Sequence, residues 1–78
     1  MTKMTKKALY KTVVGLYWNC RETEKVQTHK FTENFILSVY PVMFHPTECV
    51  YEIKVGEKKI GIFGKAKDTV DFIYANVA

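Results

Sequence analysis

The stretch that most constrains the fold is residues 48–63, ECVYEIKVGEKKIGIF, which has the pattern of a β-hairpin. Side chains alternate across a strand, so Tyr51, Ile53 and Val55 fall on one side and Val50, Glu52 and Lys54 on the other. Beyond the turn the same period puts Ile60 and Ile62 on one side, with Lys59, Gly61 and Phe63 opposite. A two-residue loop at Gly56-Glu57, the type II′ signature, pairs Ile53 with Ile60 and Tyr51 with Ile62. A four-residue loop over residues 56–59 pairs Val55 with Ile60 and Ile53 with Ile62. A shift of two residues keeps the same side chains on one face. Both registers therefore predict a core face of Tyr51, Ile53, Val55, Ile60 and Ile62, and leave Lys54, Lys58 and Lys59 to the outside and the turn.

Upstream, residues 8–18 (ALYKTVVGLYW) are rich in β-branched and aromatic side chains and apolar on both sides in their second half, which predicts a central strand. Residues 19–24 are polar and read as a loop. Residues 25–32 (KVQTHKFT) carry only Val26 and Phe31 as apolar side chains, which suits an edge strand protected by lysine. A turn at 32–34 leads into a strong strand at 35–40, and Pro41 argues against an uninterrupted central strand there. Residues 43–47 read as a turn into the hairpin. Near the C-terminus, Val70, Ile73, Tyr74 and Val77 follow helical spacing, with Asp68 or Thr69 as cap and Asp71 in the first turn. The expected fold is a small, mostly β, α+β domain. Its antiparallel sheet has four to five strands, as a meander or partly rolled barrel, with a short C-terminal helix packed on it. Residues 1–7 are polar and basic and read as a flexible arm, leaving 8–78 as one globular domain.

At 78 residues the core is small, and a hydrophobic content of 47% with 14% aromatics makes it feasible without staples. Few glycines and prolines argue against a disordered chain. No apolar run reaches the roughly 18 residues a membrane span needs, and the N-terminus lacks the apolar core of a signal peptide. These features predict a soluble, cytoplasmic protein. Cys20 and Cys49 do not make a disulfide framework and are expected as free thiols.

The net charge of +4 is unevenly distributed. One basic block covers residues 1–11. A second covers residues 54–67, where Lys54, Lys58, Lys59, Lys65 and Lys67 outweigh Glu57.

Motifs for chemistry are weak. Cys20, His29, His45 and Cys49 are zinc-type ligands, but only His45 and Cys49 have a plausible ligand spacing and no paired C-x₂₋₄-C exists. A Cys-His nucleophile would need Cys20 or Cys49 beside His29 or His45, with Glu48 or Asn34 to orient the base. The carboxylate pairs Glu22/Glu24 and Glu48/Glu52 read as solvated charges. Gly56, Gly61 and Gly64 do not form a phosphate loop, because GKAK lacks the Lys-Ser/Thr ending. No catalytic, metal or cofactor site is expected. The profile is that of a small non-enzymatic protein-binding module, such as the regulators and inhibitors encoded by phages and mobile elements. Its expected partner-binding residues are Lys54, Lys58, Lys59, Lys65 and Lys67. The alternative is a single-stranded nucleic-acid-binding β domain that uses the same lysines with exposed aromatics.

Overall fold

The computed structural model describes residues 5–42 and 45–77, with the backbone alone at 45–47 and 77. The order of elements is α1 (Lys6–Thr23), β1 (Gln27–Lys30), β2 (Phe35–Val42), β3 (His45–Val55), β4 (Lys58–Phe63) and α2 (Ala66–Val77). The strands form one open antiparallel sheet in the order β1-β2-β3-β4, a meander. Both helices lie on the same face of it, α1 against β1, β2 and β3 and α2 against β4 and α1. The chain is thus a two-layer domain, mostly β, with the C-terminal helix packed on the sheet. Among the described residues no helix covers the opposite face.

The core lies between the layers. Leu9, Val13 and Cys20 of α1 meet Phe35, Leu37 and Val39 of β2, Cys49, Tyr51 and Ile53 of β3, and Val70 and Ile73 of α2. The alternate residues of β2 and β3 that face the helices are buried, as a pleated strand covered on one side requires, and Ser38 and Glu52 in the middle of the opposite face are nearly covered as well.

The N-terminal third differs from the sequence reading. Residues 8–18 are helical, within α1, instead of forming a central strand. The polar segment 19–24 continues that helix to Thr23. The reason is long-range packing, which outweighs local β propensity. Leu9, Val13 and Cys20 recur at helical spacing, with Leu16 and Tyr17 half-buried beside them, and together they supply one stripe for the sheet. Both ends are capped. Thr5 accepts a hydrogen bond from the Ala8 amide, and Glu24 adopts the left-handed conformation with its N–H donating to the Cys20 carbonyl. Part of the expected arm over 1–7 belongs to this helix. Thr5 is the cap, Lys6 and Lys7 are helical, and residues 1–4 lie outside the described set.

The rest of the meander follows the sequence. β1 is an edge strand, and Thr32 closes its turn by accepting from the amides of Asn34 and Phe35. The β2–β3 register shifts between Pro41 and Val42, where proline withholds an N–H from the ladder. Residues 43 and 44 of the expected turn lie outside the described set, and His45 already belongs to β3. The final helix starts at Ala66, two residues before the expected caps. Thr69 is therefore internal and buried, its hydroxyl donating to the Lys65 carbonyl at 2.9 Å. Val70 and Ile73 of the expected stripe are buried, whereas Tyr74 is exposed.

The hairpin keeps its two-residue loop, and of its expected core face Tyr51 and Ile53 are buried and Ile60 packs against the core, while Val55 and Ile62 are exposed. Val55 pairs with Lys58 across Gly56-Glu57, and Gly56 alone of the two has a positive φ, 63°, as a type II′ turn needs. The register then slips. Lys54 pairs with Lys59 but Ile53 pairs with Gly61, so Ile60 is an extra residue, a β-bulge. One inserted residue exchanges the faces beyond it. Ile62 pairs with Glu52 on the outer face and is 55% exposed, while Phe63 pairs with Tyr51 on the inner face. Val55, at the strand end, is also exposed. Gly61 makes the exchange possible. A Cβ there would stand 2.9 Å from Phe63 Cε2 and 3.6 Å from Phe72 Cε1, in the space the Phe63–Phe72 ring pair uses. The two ring centroids are 5.2 Å apart.

Candidate interaction face

The exposed face of the sheet is ordered in rows across the strands. One row runs Thr28, Ser38, Glu52, Ile62, and the next runs Lys30, Ile36, Lys54, Lys59. On the far side of the Thr28 row, Tyr40 pairs with Val50. The face therefore has an apolar portion made of Ile36, Tyr40, Val50 and Ile62, and a lysine row along one end. Ile36, Tyr40 and Val50 are half-buried, and Ile62 protrudes.

Glu52 sits in the middle and is only 8% exposed, an unusual depth for a carboxylate on an uncovered face. Its Oε2 lies 3.3 Å from the Lys59 ammonium, and its Oε1 lies 3.5 Å from that of Lys54. The second contact is an ion pair without a hydrogen bond, since Oε1 is buried and has no hydrogen-bonding partner among the described residues. The arrangement holds two cations in place around one carboxylate, in a patch whose centre is partly dry.

The five lysines expected to bind a partner separate into two sets. Lys54 and Lys59 are cross-strand neighbours on the outer face, and Lys58 adjoins them at the exposed hairpin end. Lys65 and Lys67 lie past the other end of β4, Lys65 just before α2 and Lys67 in its first turn. The remainder of β4, through Phe63, and the bend at Gly64 lie between the two sets. Lys30, which the sequence reading left as an edge lysine, joins the Lys54 row instead. Sequence reasoning missed it because the pairing of β1 with β2 is a long-range fact. It missed Ile62 because the bulge is invisible to a period-two count.

The zinc-type residues come together only in part. Cys20 and Cys49 are both buried free thiols in mutual contact across the α1–β3 interface. Burial first, and then the hydrogen bond with Cys20, push the Cys49 thiol up to about 11, which holds it protonated at neutral pH. Cys20 Sγ also donates to the Val39 carbonyl at 3.5 Å. His29 packs edge-on against Phe31 with ring centroids 4.6 Å apart. The side chain of His45 lies outside the described set. No group of three or more His, Cys, Asp or Glu side chains stands close enough to hold a metal ion among the described residues. Asn34 serves the fold, its carbonyl accepting from the Gly56 amide at 2.7 Å.

No helix among the described residues is long and apolar enough to cross a membrane. Comparison with protein-family models, with curated proteins and with solved structures finds no match to this chain.

Proposed function

We propose that the protein is a binding module whose uncovered sheet face docks on a protein partner with an acidic rim, in the manner of a small regulator or inhibitor. The observation that carries this reading is the composition of the face: Ile36, Tyr40, Val50 and a protruding Ile62 beside a row of Lys30, Lys54 and Lys59. An apolar centre with a charged border is the anatomy of a protein interface. Lysines along one end favour opposing carboxylates and set orientation and encounter rate. A second copy of the chain carries the same +4 and is disfavoured as the occupant.

Nucleic acid also offers negative charge, but it asks for a basic track with aromatic platforms. Here the five lysines fall into two separated sets, Glu52 neutralises part of one, and Tyr40 is the sole aromatic ring of the rows described. Four strands at ~4.8 Å and about six residues at ~3.3 Å cover roughly 400 Å². A standard interface takes about 800 Å² from each partner, so contacts extend to the hairpin end and Lys58.

The test is affinity capture from source-cell lysate with three immobilised proteins: wild type, Ile62→Asp and Lys54→Glu/Lys59→Glu. Each is first checked for folding by circular dichroism. The expected result is a stoichiometric protein retained by the wild type at about 0.3 M salt, where exposed charges are screened within a few ångströms. Ile62→Asp loses it outright, and the double charge reversal loses it as salt is raised. An equal yield from wild type and Ile62→Asp overturns the reading. Steeply salt-dependent retention of an oligonucleotide, with no protein, replaces it with the nucleic-acid alternative.

A further inference from the structure

The last turns of α1 are held to the sheet by one fully buried side chain, Cys20; Leu9 and Val13, the other buried residues of the helix, lie earlier. Cys20 Sγ reaches β2, where it donates to the Val39 carbonyl at 3.5 Å. The sheet register brings Cys49 to the same point. Val39 pairs with Tyr51 and Pro41 with Cys49, so Cys49 is the diagonal neighbour of Val39 on the inner face. The two thiols hydrogen-bond each other there, and both are free.

Buried thiols ordinarily serve as small core side chains. These two differ in touching each other and in having a route to solvent. A groove of about 390 Å³ opens between α1, the start of β3 and the first turn of α2, with Tyr10, Tyr17, Trp18, Tyr51 and Cys49 among its lining residues. Cys49 borders this groove while only 3% exposed, and Cys20 is fully buried and does not line it. A small uncharged oxidant therefore meets Cys49 first and finds Cys20 behind it.

We propose that Cys20 and Cys49 form a peroxide-operated clamp, in which hydrogen peroxide entering by the groove converts the two thiols into a disulfide that ties the last turn of α1 to β3. Cys49 gives up its proton and its sulfur attacks one peroxide oxygen. The O–O bond breaks, leaving a sulfenic acid on Cys49 and one water. Cys20 then attacks that sulfur. The S–S bond forms as the S–O bond breaks, and the Cys20 proton leaves with the hydroxyl as a second water. Each sulfur loses one electron and the peroxide gains two. Burial and the hydrogen bond with Cys20 keep the Cys49 thiol protonated at neutral pH, so the clamp closes slowly and answers sustained exposure. The pair lies on the opposite side of the sheet from the proposed docking face and does not depend on it.

The bridge closes a loop of about 30 residues, which restricts the unfolded chain. By linkage, whatever the bond adds to the fold the fold adds to the bond. The test equilibrates the folded protein, and the same protein unfolded in urea, in matched mixtures of reduced and oxidised dithiothreitol. Free thiols are counted by alkylation and mass spectrometry. The ratio of disulfide to dithiol is expected to be at least about a hundredfold higher in the folded protein, as an unstrained bridge of this loop length requires. Peroxide treatment of the folded protein is expected to raise the thermal midpoint by at least about 10 °C, reversibly on reduction. Cys20→Ala is expected to hold Cys49 as a sulfenic acid that dimedone traps, whereas Cys49→Ala leaves Cys20 unmodified. The wild-type measurements decide the proposal without either variant. A ratio no higher in the folded protein, a peroxide-treated wild type that keeps both thiols or joins two chains instead, or a dimedone adduct on Cys20 in preference to Cys49 overturns it.

Discussion

Replacing Glu52 by leucine separates what holds the fold from what serves binding. The carboxylate is 8% exposed, with Lys54 and Lys59 at 3.5 and 3.3 Å, and these lysine side chains are themselves 42% and 49% exposed. Ion pairs with such accessible cations contribute about 0.2–1 kcal/mol each, so the substitution forfeits at most about 2 kcal/mol. Against this, a buried carboxylate carries a desolvation cost of several kcal/mol, part of it from an oxygen with no hydrogen bond. Leucine of similar size adds roughly 1.5–3 kcal/mol of apolar burial if it stays covered beside Ile62. The freed lysines return to water at little cost. Glu52→Leu is therefore expected to be neutral or up to about 2 kcal/mol more stable, with the thermal midpoint raised by up to about 15 °C for a domain of this size. Urea titration followed by circular dichroism measures it. A loss of more than about 1 kcal/mol refutes the reasoning, because Glu52 would then be a structural anchor. If Glu52 positions Lys54 and Lys59 for a partner, the stabilised variant also binds that partner at least about tenfold more weakly.

Other outcomes follow from the same geometry. Gly61→Ala drives a Cβ to 2.9 Å from the Phe63 ring and is expected to cost about 1–2 kcal/mol, measured by the same titration, the packing strain exceeding the entropy gain. Between pH 9 and 11 stability should fall by up to about 1.4 kcal/mol per pH unit through Cys49 alone. Its thiol ionises near 9 in the unfolded chain and near 11 in the fold, so the unfolded state binds fewer protons over that window. Below pH 9 this contribution is fully present, and Cys49→Ala should show a shallower decline. The Lys6–Asp71 ion pair at 2.7 Å joins α1 to α2 and, through the hydrogen bond from Lys6, holds the Asp71 carboxyl below its usual range. Because both groups are exposed, Asp71→Asn should lower the midpoint only slightly and less at high salt, while removing the acid-side loss that sets in as pH falls through the Asp71 range.

Much of the sheet was legible in the sequence because its signals are local. The Gly56-Glu57 turn, the Thr32 turn, the polar edge strand and the break at Pro41 each depend on residues a few positions apart. The two failures have a common physical origin in packing partners distant along the chain. Residues 8–18 contain Val13 and Val14, Tyr17 and Trp18, and read as a strand until the sheet that buries Leu9, Val13 and Cys20 is in place. The bulge at Ile60 depends on Phe63 reaching Phe72, nine residues further on. The face proposed for binding inherits that second failure. Its lysines at 54, 58 and 59 could be read from period and charge, but Ile62 could not, nor could the remoteness of Lys65 and Lys67.

The most direct test of the docking face is photocrosslinking from position 62 in source cells, with a benzophenone amino acid in place of Ile62 and a control at the exposed Glu24. The expected result is a discrete adduct with one protein from position 62, absent from position 24 and lost when Lys54 and Lys59 are reversed to glutamate. Equal crosslinking from both positions, or none from position 62 while a partner is still captured, contradicts the assignment of the uncovered sheet face as the binding surface.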